Sequence, residues 1–143
     1  MCYSRAADTM SSRLLRSELR AVLDAYQAIG TTGFVPLGNA PNYRQIRPSG
    51  WPRGMHYEFL RTANAIGVEL HLESDEARSI ASTVESFARR TLPDSAQRLQ
   101  WEADWTYGPR LFVKFPLGVT PDRPARAMVQ LIELTFRTIT LAL

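Results

Sequence analysis

Two segments in which apolar and polar residues alternate, residues 55–60 and 66–73, face each other across a short connection. Alternation of this kind is typical of half-buried β-strands, so the pattern predicts a β-hairpin. A turn at Thr62–Ala65 would place apolar residues opposite one another on one face: Phe59 and Val68, Tyr57 and Leu70, and Met55 and Leu72. A slip of one residue would bury charged side chains, so the sequence specifies this register strongly.

The opposite face of the same hairpin would carry His56, Glu58, Glu69, His71 and Glu73. The register places His56 beside His71 and Glu58 beside Glu69, with opposing Cβ atoms about 5 Å apart. Imidazole nitrogens and carboxylate oxygens are ligands for zinc, manganese or iron. His56, His71, Glu58 and Glu69 are therefore a candidate divalent metal site, although the leading expectation is no cofactor.

A simpler interpretation of this face is a solvated sheet surface. Its carboxylates would then pair with basic residues from nearby strands: Arg44, Arg47, Arg61, Arg98 and Lys114. A surface that binds a partner protein is a further alternative. The chain has no His-Glu-x-x-His motif, so the metal prediction depends on strand pairing alone.

The length and composition suit one domain with a real core. The chain has 143 residues, 45% of them hydrophobic and 22% charged. We expect a flexible leader over residues 1–10 and a single domain over residues 11–143. No apolar run approaches the roughly 20 residues of a membrane span, and the start of the chain lacks a signal-peptide pattern. Cys2 is the only cysteine, and a cytoplasmic protein is the resulting prediction.

The order of predicted elements is α-β-β-β-α-β-β-α. Helices are expected at about residues 12–29, after an N-cap at Ser74, and from about residue 121 onward. Further strands are expected at residues 43–47, which flanking prolines would confine to an edge, at 99–105 and at 110–115. Short turns make the strand pairs antiparallel. The fold class is therefore α+β, with a two-layer architecture and an antiparallel sheet of about five strands.

The last helix is apolar over much of its circumference, so it needs cover on more than one side. One stripe packs naturally on the sheet. The second stripe, made by Leu131, Leu134 and Leu141, predicts the interface of a homodimer. A monomer in which the whole helix is buried is the alternative.

Arginines alternate with aromatic residues between residues 43 and 53. Arg44, Arg47, Trp51 and Arg53 could grip phosphates and stack on bases, which makes a nucleic-acid or partner-binding segment an alternative function. The same composition also describes a proline-rich edge of the core. Trp101 and Trp105, which share one face of their predicted strand with Leu99, are expected in the core.

The sequence lacks a recognisable catalytic signature. It has no Gly-x-Ser-x-Gly elbow, no glycine-rich phosphate loop and no nuclease triplet of carboxylates and lysine. The leading hypothesis is a non-enzymatic binding or accessory module that acts through protein contacts. The rival is a metal-assisted hydrolase or nuclease that uses the histidine and glutamate face.

Residues Gly54–Phe59, Gly67–Glu73 and Leu99–Glu102 resemble a bacterial domain family of unknown function, whose members occur alone or attached to nuclease modules in restriction-like loci. The resemblance implies an α+β accessory domain and supplies no catalytic residues. The element order also resembles the fold of type III secretion chaperones. Those chaperones are typically acidic homodimers, whereas this chain carries a net charge of +3.

Overall fold

The computed structural model describes residues 11–143. Its helices are α1 (Ser11–Ile29), α2 (Asp75–Arg78), α3 (Ala81–Glu85) and α4 (Asp122–Ala142). Its strands are β1 (Tyr43–Ile46), β2 (Met55–Arg61), β3 (Ala65–Leu72), β4 (Thr91–Leu92), β5 (Gln97–Arg98), β6 (Gln100–Glu102) and β7 (Arg110–Pro116). The predicted leader over residues 1–10, with Cys2, lies outside the described residues.

The main sheet has five antiparallel strands in the order β1-β2-β3-β7-β6, and β4 pairs with β5 in a small second sheet. This confirms the α+β prediction and the antiparallel sheet. The predicted edge strand is β1, which lies at one end of this sheet order beside β2. Among the described residues, no helix combines the length and the apolarity needed to cross a membrane.

The hairpin of β2 and β3 has the predicted register. Phe59 lies opposite Val68, Glu58 opposite Glu69, and His56 opposite His71. The connecting turn is closed by the Thr62 amide, which donates to the Ala65 carbonyl at 2.9 Å. Side-chain alternation therefore gives the sheet one apolar face and one polar face, the latter carrying His56, Glu58, Glu69 and His71.

Helices α1 and α4 pack against each other and cover the apolar face. The Tyr26 ring of α1 meets Phe59 edge-on, with ring centroids 5.7 Å apart. Tyr57 of β2 and Thr135 of α4 share a hydrogen bond of 2.8 Å between their buried hydroxyl groups. The rings of Tyr26, Tyr57 and Phe59 are all buried, so the centre of the hairpin is also the centre of the core.

The helix predicted after Ser74 is divided into α2 and α3. Ser74 does cap it, because its hydroxyl accepts the Ala77 amide at 3.1 Å. The hydroxyls of Ser79 and Ser86 then donate back to backbone carbonyls three residues earlier. Such bonds compete with regular helix geometry, and the apolar pattern by itself could not reveal them.

The strand predicted over residues 99–105 is shorter than expected. It ends at Glu102, and residues 103–109 form a loop that turns back to the polar face. Trp105 therefore does not share a strand face with Leu99 and Trp101. Its ring lies against His71, with ring centroids 4.6 Å apart. The strand prediction for residues 103–105 was therefore wrong.

The stripe predicted as a dimer interface does not form one surface. Leu131 is fully buried in the core of the same chain, so it is not available to a second copy. Leu134 is half-buried, and Leu141 is 78% exposed. The homodimer itself stays a prediction.

Gly108 holds the 103–109 loop against β3. Its φ is +127°, and a Cβ there would collide with the backbone oxygen of Leu72. We expect Gly108→Ala to lower the free energy of unfolding by about 3 kcal/mol or more, because conformational strain adds to the clash. Gly118→Ala is the matched control, since Gly118 has φ +87° and open space around it; strain alone should cost about 1 kcal/mol.

Urea denaturation of the two variants measures the difference. Equal losses of stability would show that the close approach of the loop to Leu72 is unimportant.

Candidate metal centre

Four side chains of the polar face converge on one point. His56 and Glu58 come from β2, His71 comes from β3, and Glu73 follows β3 directly. Each offers one ligand atom, and these four atoms all lie within 4.8 Å of one another. The Glu73 backbone amide donates to the Gly54 carbonyl at 2.7 Å. This hydrogen bond continues the hairpin and fixes the backbone position from which the Glu73 side chain extends.

The cluster is buried, which corrects the interpretation of this face as a solvated surface. The four side chains are between 0% and 3% exposed. Trp105 packs on His71 from the 103–109 loop. Alternation in the sequence could identify the polar face but not the loop that covers it.

Four of the six separations between the donor atoms are close to those of a tetrahedral metal site, and all four atoms lie within 4.8 Å of one another. His56 Nε2 lies 3.1 Å from Glu58 Oε1 and 3.8 Å from Glu73 Oε2. His71 Nδ1 lies 3.5 Å from Glu58 Oε1 and 2.9 Å from Glu73 Oε2. Ligands about 2.0–2.1 Å from a zinc ion at a tetrahedral centre are roughly 3.3–3.4 Å apart. The four separations fall on both sides of that value.

Glu69 does not belong to this ligand set, which corrects its predicted place in it. Arg110 Nη1 donates to both oxygens of Glu69, at 3.0 and 3.1 Å. The carboxylate also folds back over Gly67, where a Cβ would collide with it. Glu69 is therefore neutralised by a buried guanidinium, and Glu73 is the fourth member of the candidate cluster.

Glu69 instead orients His71. Its Oε1 lies 2.7 Å from His71 Nε2, so a neutral His71 that donates from Nε2 presents the lone pair of Nδ1 to the cluster. A carboxylate behind a histidine is the usual support of a metal ligand. The Arg110 guanidinium, itself 4.3 Å from the Trp105 ring centroid, holds this carboxylate in place.

Gln45 of β1 supports the other carboxylate. Its Nε2 donates to Glu58 Oε1 at 3.2 Å, and its own Oε1 accepts from Arg47 Nε and Nη2 at 3.0 and 2.5 Å. The second carboxylate oxygen of Glu58, Oε2, is buried and has no hydrogen-bond partner among the described residues. An unpartnered buried carboxylate oxygen is unfavourable unless a cation or proton satisfies it.

The buried charges of the polar face balance only when a cation or bound protons supply positive charge. Glu58, Glu69 and Glu73 are buried carboxylates, and Arg110 is the buried guanidinium that faces them. With all three carboxylates ionised and the histidines neutral, two negative charges remain on these buried groups. This is the charge that one divalent cation would neutralise.

The pKa values of the cluster reflect this imbalance. Burial raises the pKa of Glu58 to about 8. Burial by itself would lower the pKa of His71, but the carboxylates of Glu58, Glu69 and Glu73 raise it to about 10. Burial and the neighbouring His71 lower the pKa of His56 to about 3. Without a metal, protons therefore take the place of the missing positive charge.

The predicted nucleic-acid segment does not assemble into one surface. Arg44 donates to the carbonyls of Ala40 and Tyr43. Arg47 reaches Gln45 on the polar face. Trp51 stacks on Phe136 with ring centroids 5.6 Å apart and donates to Thr140 of α4, on the opposite side of the sheet.

Sequence reasoning missed Arg110, Gln45 and Trp105, which support or cover the cluster. The basic residues proposed as partners did not include Arg110, and one of them, Arg61, pairs with Glu18 of α1 instead. A prediction of how β3 pairs with β7 could have identified Arg110, because Arg110 lies directly opposite His71 in that pairing.

Comparison with known proteins adds no relative: no protein-family profile, curated protein or solved structure matches the chain. The function must therefore be argued from the site itself.

Glu58→Gln should change how the stability of the metal-stripped protein depends on pH. The carboxyl has a pKa of 4.5 in the unfolded chain and about 8 in the folded protein. Between these values the folded state binds more protons than the unfolded state, so rising pH removes stability from the wild type. From about pH 5 to about pH 6.5, the variant should gain about 2 kcal/mol relative to the wild type.

Urea denaturation in the presence of a chelator measures this gain. Titration of His56 occurs in both proteins. Glu58 also raises the pKa of His71, so the comparison ends near pH 6.5, where His71 is still largely protonated in the folded wild type and only half deprotonated in the unfolded chain. The exposed Glu76 supplies the control, and Glu76→Gln should show no such trend. A stability difference between Glu58→Gln and wild type that is constant with pH would contradict the prediction.

Proposed function

We propose that this protein is a metal-containing binding module that holds one divalent transition-metal ion through His56, Glu58, His71 and Glu73. The observation that carries the proposal is the set of four donor separations, 2.9–3.8 Å, among four side chains that are at most 3% exposed. Two imidazoles and two carboxylates favour zinc, manganese or iron over calcium or magnesium, which prefer oxygen ligands alone.

The closed ligand set favours binding over catalysis. Catalytic zinc sites usually have three protein ligands and keep a position for water, whereas structural sites have four protein ligands. Here four side chains from the hairpin surround the point of convergence, and each is almost completely buried. A non-enzymatic module is therefore favoured over the metal-assisted hydrolase or nuclease.

Glu73→Gln should weaken zinc binding by about 100-fold, or about 2.8 kcal/mol, because an amide replaces a charged ligand. Glu102→Gln is the control: Glu102 is a carboxylate that pairs with Arg110 on the same face, but it lies outside the cluster and is 42% exposed. The control should bind zinc within about threefold of wild type.

Competition with a chromophoric chelator measures both affinities, after metal removal and in a Cys2→Ser background that eliminates the only thiol. The wild type should bind one ion per chain. Absence of stoichiometric binding of Zn²⁺, Mn²⁺ and Fe²⁺ would contradict the proposed function.

Glu69→Gln should weaken zinc binding by about 10- to 100-fold, the usual effect of removing the support of a ligand. The ligand set should persist, so the visible spectrum of the cobalt(II) form should keep the band positions of the wild type. The same spectrum should change in Glu73→Gln. A Glu69→Gln variant with an altered cobalt spectrum would instead make Glu69 a ligand.

A further inference from the structure

A cleft of about 290 Å³ lies at the β1 edge of the sheet, and one of its lining residues, Gln45, contacts the candidate metal centre. Its walls are the 37–40 loop and the side chains of Tyr43, Gln45 and Arg47. The loop is held beside β1 by two backbone hydrogen bonds between Leu37 and Gln45, of 2.7 and 3.2 Å. The Gln45 side chain lies between this cleft and Glu58.

Arg47 lines the cleft, and two N–H donors of its guanidinium share a single acceptor oxygen. Its Nε and Nη2 both donate to the single oxygen Gln45 Oε1, at 3.0 and 2.5 Å. This edge of a guanidinium is the one that binds a carboxylate through two parallel hydrogen bonds. A carboxylate would offer one charged oxygen to each donor, where the amide offers one neutral oxygen to both.

A carboxylate that displaced the Gln45 oxygen from Arg47 would also affect the metal centre. Gln45 joins the two sites, because the amide that accepts from Arg47 also donates from Nε2 to Glu58 Oε1 at 3.2 Å. Glu58 is one of the four proposed ligands. A change in the orientation of this amide therefore changes the hydrogen bonding of a metal-binding carboxylate.

We infer that this cleft binds a small monocarboxylate through Arg47 and couples its binding to the metal centre through Gln45. The binding half of the inference needs the protein alone, whereas the coupling half rests on the proposed metal site.

The lining of the cleft sets the class of ligand. Arg47 is the one charged side chain among its lining residues, so a single negative charge is matched. Leu37 and Tyr43 supply apolar and aromatic walls, which suit a small hydrocarbon body. The volume is at the lower end for ligand pockets, so a small molecule is favoured over a peptide or nucleotide.

Benzoate is the probe for the binding half, titrated into metal-stripped, isotope-labelled protein and followed by NMR. Shifts should be concentrated at residues 37–47 and should include the side-chain amide of Gln45. Arg47→Met should weaken binding at least tenfold, while Arg53→Met, at an exposed arginine outside the cleft, should not. Neutral benzamide should bind at least tenfold more weakly than benzoate.

Shifts that are absent or scattered, or an affinity that is unchanged in Arg47→Met, would overturn the inference. Because no metal is present, this result does not depend on the proposed function.

The coupling half is measured as the zinc affinity with and without saturating benzoate. We expect a change of at least threefold, and the same factor in the benzoate affinity when zinc is bound, because coupling is reciprocal. Gln45→Ala should remove the coupling while zinc still binds. Benzoate binding with an unchanged zinc affinity would overturn the coupling. Failure of zinc to bind would overturn the metal site and, with it, the coupling, but not the cleft.

Discussion

The pairing of β2 with β3 is the constraint on which the rest of the structure depends. A period of two residues sends every second side chain to the same face, and antiparallel pairing then places like residues opposite each other. Glu58 faces Glu69, and His56 faces His71. Two carboxylates directly opposite are unfavourable on a sheet. The protein separates them by directing Glu69 to Arg110 and keeping Glu58 among the imidazoles.

Most of this hairpin could be predicted because its information is local. The apolar alternation of fourteen residues leaves one register that buries no charge on the core face, and the structure has that register. The turn residues and the Ser74 cap are equally local signals. The fold class followed from the same patterns, since short connections between alternating segments allow only antiparallel pairs.

The exact membership of the candidate metal cluster could not be predicted, because distant parts of the chain decide it. Glu69 and Glu73 are equivalent in the alternating pattern. What separates them is Arg110, which is 41 residues from Glu69 in sequence, and the missing side chain of Gly67 beneath the carboxylate. Likewise, burial of the polar face depends on the loop that carries Trp105. A pattern of apolar and polar residues contains no information about such contacts.

Because the cluster is buried, a contribution to the stability of the fold does not readily explain it. Buried ionic groups are weak contributors to stability, and well-packed apolar residues of similar volume often serve as well or better. Here three carboxylates face one buried guanidinium, and Glu58 Oε2 has no hydrogen-bond partner among the described residues. A divalent ion between the two histidines and two glutamates would neutralise the two negative charges that remain on these buried groups. The arrangement that is unfavourable for the protein alone is therefore the one that a bound cation requires.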